Sequence, residues 1–258
     1  MKLKRFAIST AISILFIYGI LIVSAFYFFD STTLNEALSS KKVFSAIWIS
    51  ISAASIATIL AVSIAIPSAY ALSRYSFWLK PAVDVMLELP MIISPAALGA
   101  LILIFFQTPA GNYIRDNYID VVYAFSGIVL AQFITVLGIS TRMMKAVFDE
   151  IPVRYENVAR TLGANQRQAF FRVSLPLAKK GILSSVILTW AKAVGEFGAT
   201  ITVAGSMAMK TETLPTAIFM KLSMADIKGT VVLILILFLI SIFMLSLARF
   251  ILHHKKND

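Results

Sequence analysis

Six apolar stretches alternate with shorter polar segments along the chain. They cover about Phe6–Phe29, Ser45–Leu72, Val85–Phe106, Val121–Met144, Gly181–Ala204 and Gly229–Leu252, each near the roughly 20 residues an α-helix needs to cross a hydrocarbon core. Several are long enough to tilt or to protrude. Pro90 and Pro95 interrupt the third stretch. These prolines and Gly99 loosen a helix and free backbone groups that must then face protein or water. A packing kink and a piece of a translocation path both account for that. Between the fourth and fifth stretches, about residues 145–180, the pattern becomes polar and basic but stays helical. Pro152 suits a first helical position behind Asp149-Glu150, and Tyr155, Val158, Ala159 and Leu162 recur at i, i+3, i+4 and i+7. Gly163 supplies a stop. Asn165 suits the N-cap of a second short helix, with Gln168 placed for a capping box, until Pro176 interrupts it. The pattern predicts a helix, a glycine corner and a second helix projecting from the membrane as a docking plug.

Composition supports a bilayer protein. Hydrophobic residues make up 59% of the chain and mean hydropathy is +0.86, against roughly 45–50% apolar residues in soluble domains. The net charge of +10 follows topology rather than forming a nucleic-acid surface. With both termini inside, 16 of the 23 Lys and Arg residues fall on cytoplasmic segments and 6 on external loops, with Lys192 inside a span. The positive-inside rule selects that orientation, for a multi-pass protein of the cell membrane with both termini cytoplasmic. Lys41 and Lys42 run against the rule and are read as an external lip beside Asp30 and Glu36. Lys2, Lys4 and Arg5 precede an apolar run too long for a signal h-region of roughly 7–15 residues. The first stretch is therefore read as a retained span. The absence of cysteine excludes disulfides and thiolate metal sites. His253 and His254 sit in the charged tail and read as solvated rather than as ligands. With no linker, low-complexity tract or clear repeat, residues 1–258 read as a single membrane domain.

The spans offer little for catalysis. Lys192 and Glu196 stand one helical turn apart and are read as a buried, mutually neutralising pair. Asp84 and Glu88 fall near the cytoplasmic start of the third span, where an interfacial role is expected. No metal constellation and no Ser/His/Asp set is visible, and no cofactor is expected. The sequence G-x-x-x-x-G-K-[ST] is also absent, so any nucleotide held in the P-loop manner belongs to another polypeptide. An ion-coupled secondary transporter would show acidic relays or broken helices in paired halves, and the two halves show no such symmetry; a membrane hydrolase is disfavoured by the missing catalytic set.

The polar segment resembles the EAA motif of ABC-transporter permease subunits: EAA, three residues, Gly, nine residues, then Ile-x-Leu-Pro. Here it falls on Asn157-Val158-Ala159, Gly163 and Val173-Ser174-Leu175-Pro176, with the nine-residue gap intact. Asn157 stands where the family has its first Glu, with Glu156 just before it, and Val158 replaces the first Ala. The resemblance implies a coupling helix that seats in a groove of a cytoplasmic ATPase subunit. Glu156, Asn157, Ala159, Gly163, Ala164 and Pro176 would then be the coupling residues. Gly195-Glu196-Phe197-Gly198-Ala199 and Thr211-Glu212-Thr213-Leu214-Pro215 look like the molybdate/tungstate branch of ABC importer permeases, and sulfate permeases are similar at the same places.

This likeness runs from about Ser45 to the C-terminus. It implies an all-α membrane protein of type I ABC importer permease architecture, with six transmembrane helices and a cytoplasmic coupling-helix loop. Its partners would be a second copy, two ATPase subunits and an external binding protein that delivers the oxyanion. The expected path uses Pro90, Ser94, Pro95, Thr189, Glu196, Thr200 and Thr202. A tetrahedral dianion should meet weak neutral donors along it, such as the hydroxyls of Ser94, Thr189, Thr200 and Thr202, because a strong fixed cation site would trap it.

Overall fold

A computed structural model describes residues 2–254, with side chains from Leu3 to Ser246. The sequence readings that fall on Lys2, Arg249, His253, His254, Lys255 and Lys256 lie outside the described side chains. Among the described residues every regular element is helical.

Four helices are long and apolar enough to span by themselves: α1 (Lys2–Phe26), α3 (Lys41–Arg74), α7 (Phe125–Asp149) and α13 (Ile227–His254). Two more spans are broken. α4 (Lys80–Ile92) and α5 (Pro95–Phe105) meet at 114°, and the helix ending in α10 (Leu175–Val194) meets α11 (Gly198–Ala204) at 54°. The six expected stretches thus correspond to four long helices and two bent pairs, six spans if each pair crosses once. Short helices fill the connections: α2 (Ser31–Ser39), α6 (Pro109–Asn117), α8 (Arg154–Thr161), α9 (Gln166–Ala169) and α12 (Leu214–Ser223).

The breaks have local causes. Pro90 lies inside the last turn of α4 and does not end it. The chain leaves the helix at Ile93 (ψ 137°) and Ser94 (ψ 143°) instead. A residue preceding proline is driven out of the α region, and Ser94 precedes Pro95, which then opens α5. Pro176, expected to interrupt a helix, does not. Phe170–Ser174 form a π turn in which the Leu175 N–H bonds to the Phe170 carbonyl five residues back. That wider turn absorbs the missing proline N–H, so α9 runs into α10 without a stop. The second helix of the polar segment is thereby the base of the second bent pair.

The centre of the fold is the α3–α7 contact. Ala53, Ala57, Ala61, Ala65 and Ala69 on α3 are fully buried at four-residue spacing, and Gly127, Ala131 and Gly138 are among the residues that α7 buries. Small side chains let two membrane helices approach closely and gain van der Waals contact, which replaces a hydrophobic drive that lipid does not supply. Towards the α8 end, Ala65, Ala69 and Tyr70 pack with Met144, Phe148, Ala178 and Ile182, joining α3, α7 and α10. By contrast, the apolar window of α1 buries nothing against the rest of the chain.

At the opposite end the Asp30 carboxylate accepts the Thr32 N–H (3.0 Å) and pairs with Lys228 (2.8 Å). Asp30, expected beside a Lys41-Lys42 lip, thus has its ion-pair partner at the start of α13. The Lys228 ammonium holds the Asp30 carboxyl well below the usual carboxylate range.

Candidate functional site

The polar segment folds as a helix, a corner and a second helix. α8 begins at Arg154, two residues later than expected, because Pro152 and Val153 form its lead-in. Gly163 (φ 91°) closes it: the Gly163 N–H bonds to the Arg160 carbonyl (3.1 Å) and the Ala164 N–H to that of Ala159 (3.0 Å). This is a Schellman end, in which the left-handed residue is the glycine. Asn165 and Gln168 make the reciprocal capping box, each bond 2.9 Å.

The apolar stripe of α8 faces away from the chain's own core. Tyr155, Val158 and Leu162 are 45%, 57% and 83% exposed, among the exposed Arg154, Asn157 and Arg160. Asn157, Arg160, Thr161, Ala164, Asn165 and Gln166 line an open polar depression beside it. Pro176 is exposed and Ala159 is half-buried.

Glu156 does the reverse. It is the buried residue of α8, 7% exposed. Its Oε1 accepts from Arg74 Nε (2.7 Å) and Ser174 Oγ (2.6 Å), and its Oε2 from the Tyr70 hydroxyl (2.8 Å). Arg74 also donates to the Ile151 carbonyl (2.8 Å) and to Ser73 Oγ (3.0 Å), and Ser73 donates to Asp149 (2.5 Å), which Lys145 pairs (2.8 Å). Glu156, one of the expected coupling residues, thus turns inward and accepts three hydrogen bonds from its own chain. Burial works against its charge, but the bonds from Ser174, Arg74 and Tyr70 outweigh it and hold the carboxyl below the ordinary glutamate range.

The candidate path residues divide. Ser94 is exposed and caps α5 by accepting the Ala97 N–H (3.3 Å); Pro90, Pro95 and Thr202 are half-buried. Thr189 and Thr200 are buried within the chain. The Thr189 hydroxyl donates to the Ser185 carbonyl one turn back (2.8 Å), and that of Thr202 to the Gly198 carbonyl (2.8 Å), the usual way such side chains satisfy themselves in a helix. Glu196 is 2% exposed and caps the broken helix by accepting the Ala199 N–H (3.1 Å). Lys192 lies 3.6 Å away with its side chain 47% exposed. The expected mutually buried pair is therefore a buried carboxylate with a half-solvated cation. Glu88, expected to snorkel, pairs with Arg142.

The two breaks meet. A Cβ placed at Gly198 would fall 3.0 Å from Pro95 Cβ, and one at Gly99 would fall 2.8 Å from Thr202 Cβ. Sequence reading missed the Arg74, Tyr70 and Ser174 partners of Glu156. A tyrosine and an arginine one turn apart at the end of an alanine-striped span were the available signal.

The chain belongs to the family of binding-protein-dependent transport system inner membrane components, whose model matches residues 57–256. It is similar to the probable transport system permease protein NifC of Clostridium pasteurianum, at 30% identity over 173 residues, 66% of this chain and 60% of that protein. The chain therefore spans less than two thirds of that relative's length. The molybdenum transport system permease protein ModB of Haemophilus influenzae matches at 30% over 178 residues, 68% of this chain and 78% of the relative. The sulfate transport system permease protein CysT of Salmonella typhimurium matches at 30% over 193 residues, 74% and 70%. In structure the chain superimposes on a chain of a bacterial alginate ABC transporter crystallised with its periplasmic protein, with TM-score 0.74, 17% identity, and 95% and 92% of the two chains covered. A chain of the MetNI methionine ABC transporter aligns with TM-score 0.64, 16% identity, and 81% and 94% covered. The fold is that of type I ABC importer permeases.

Proposed function

We propose that this chain is the membrane-spanning subunit of an ATP-driven ABC importer for molybdate or tungstate. It works as one membrane domain over residues 1–258, as a homodimer above two ATPase subunits and beneath an external binding protein. The observation that carries the coupling assignment is α8, whose Tyr155, Val158 and Leu162 are exposed while Glu156 anchors it from behind. An exposed apolar stripe rimmed by basic residues suits a groove on another subunit. The coupling surface comprises Asn157, Ala159, Gly163, Ala164 and Pro176, with Glu156 behind it, in the cytoplasmic loop at about residues 145–180. With α8 facing the cytoplasm, the positive-inside rule puts both termini on the same side. The translocation path runs past the meeting point of the two breaks, where Ser94, Pro95 and Thr202 lie on surface that is not fully buried.

The oxyanion assignment rests on the Gly195–Ala199 stretch and on relatives named for molybdenum transport. A sulfate importer is the second reading, favoured by the equal identity of the CysT relative. Uptake by the assembled transporter, measured with labelled molybdate against excess sulfate, separates the two. Weak competition supports the first reading. Discrimination between similar dianions needs a sized, fully hydrogen-bonded pocket, which belongs to the binding protein rather than to these spans. Efficient sulfate uptake moves the assignment to the second.

A further inference from the structure

We propose that Arg74 and Glu156 form an internal strut that makes α8 move with α3 and the base of α10, so that Glu156 is a positioning residue for coupling rather than a contact for the ATPase. The inference rests on the reading of α8 as the helix that docks on an ATPase subunit.

The geometry argues for a strut in four ways. The Glu156 carboxylate is bound from two directions: Arg74 and Tyr70 on the last turns of α3, and Ser174 at the end of the π turn that leads into α10. Residues 74 and 156 are 82 apart in sequence, so this bond ties α8 to a span that is not its neighbour along the chain. The Arg74 side chain is 5% exposed and that of Glu156 10%; in such a dry setting a charge-assisted bond is short and directional. Arg74 also grips the Ile151 carbonyl in the lead-in to α8, and through Ser73 reaches Asp149 at the end of α7. The guanidinium thereby joins the ends of α3 and α7 to both sides of the coupling helix. A carboxylate fully engaged in this way has nothing to offer a docking groove, whereas Asn157, Val158 and Leu162 on the outer side are free to contact it.

A rigid link predicts loss of coupling without loss of docking. The test uses the complete transporter in proteoliposomes, with Glu156→Gln, Arg74→Met and the exchanged pair Arg74→Glu/Glu156→Arg. Three quantities are read: ATPase subunits retained per permease on purification, ATP hydrolysed, and substrate imported. The expected result is that both single variants retain the ATPase subunits at wild-type stoichiometry but import about tenfold less substrate per ATP, and that the exchanged pair recovers part of the ratio. Should Glu156→Gln fail to accumulate, Ser174→Ala removes one of the three donors and carries the same expectation at smaller amplitude. Loss of ATPase subunits from Glu156→Gln would overturn the proposal in favour of direct contact, and an unchanged import-to-ATP ratio would overturn it outright. Failure of the underlying reading has a different signature, because the wild-type chain itself would then retain no ATPase subunit.

Discussion

Pro95 and Gly198 touch where two membrane helices break: a Cβ at Gly198 would lie 3.0 Å from that of Pro95 and 3.1 Å from the Ala96 nitrogen. The half-helices α5 and α11 leave this point together, and Gly99 stands a Cβ's width from Thr202 one turn further on. The seam is closed to any added carbon. Both neighbours at Gly198 belong to the opening turn of α5, so they cannot swing aside as a flexible side-chain end does.

Gly198→Val therefore forces the two half-helices apart, at a cost of about 1–3 kcal/mol, the usual range for overpacking. Thermal unfolding in detergent should show it, together with reduced uptake. A variant with wild-type midpoint and uptake would mean that the seam is loose.

Gly163 differs in kind. Its φ is 91°, yet a Cβ there meets nothing within 4 Å. The constraint is backbone strain, not the collision that a tight corner suggests. Gly163→Asn should retain more uptake than Gly163→Val, since asparagine tolerates the left-handed region and β-branched residues do not. Equal loss in both would point to a steric contact with the partner subunit instead.

Glu196 and Lys192 should prove unequal. Glu196 is buried and caps the Ala199 N–H, whereas the Lys192 ammonium is half-solvated at 3.6 Å. Glu196→Ala should cost about 1–3 kcal/mol by leaving that N–H unpaired in a buried site, and Lys192→Met should cost clearly less. A double-mutant cycle on unfolding reads the coupling, and single effects of equal size would restore a mutually buried pair.

The Glu156 network sets a pH signature. Its carboxyl is held below the ordinary glutamate range, so its contribution to stability is fully present above the unfolded value of about 4.3 and is lost as pH falls through the folded value. Wild type and Glu156→Gln should therefore differ by a constant amount in unfolding midpoint between about pH 6 and 8, and converge only in acid, below about pH 4. A difference that changed near neutrality would show a raised carboxyl, and one that persisted unchanged into acid would show an unshifted one.

Much of this architecture was legible from apolar length, since the six stretches correspond to the four long helices and the two bent pairs. The corner was legible too, because a Schellman end and a capping box depend on neighbours within five residues. What escaped was long-range or compensated. Pro176 is a helix breaker in isolation, and only the π turn before it keeps the helix running. Pro90 and Pro95 look alike in sequence, but one sits in a finishing turn and the other starts the next helix. The inward turn of Glu156 depends on Arg74, 82 residues away. The burial of Thr189 and Thr200 was not legible either, since which face a helix buries depends on neighbours far along the chain.

The central claim is that this permease moves an oxyanion at the expense of ATP bound by a separate subunit. The most direct measurement is molybdate uptake into proteoliposomes holding the permease with its ATPase, with loaded binding protein outside and ATP within. Uptake should survive ionophores that dissipate proton and sodium gradients, and should stop when ATP is replaced by a non-hydrolysable analogue. The permease alone should neither hydrolyse ATP nor take up the anion. Uptake that persists without ATP hydrolysis and collapses with the ion gradients would contradict the account.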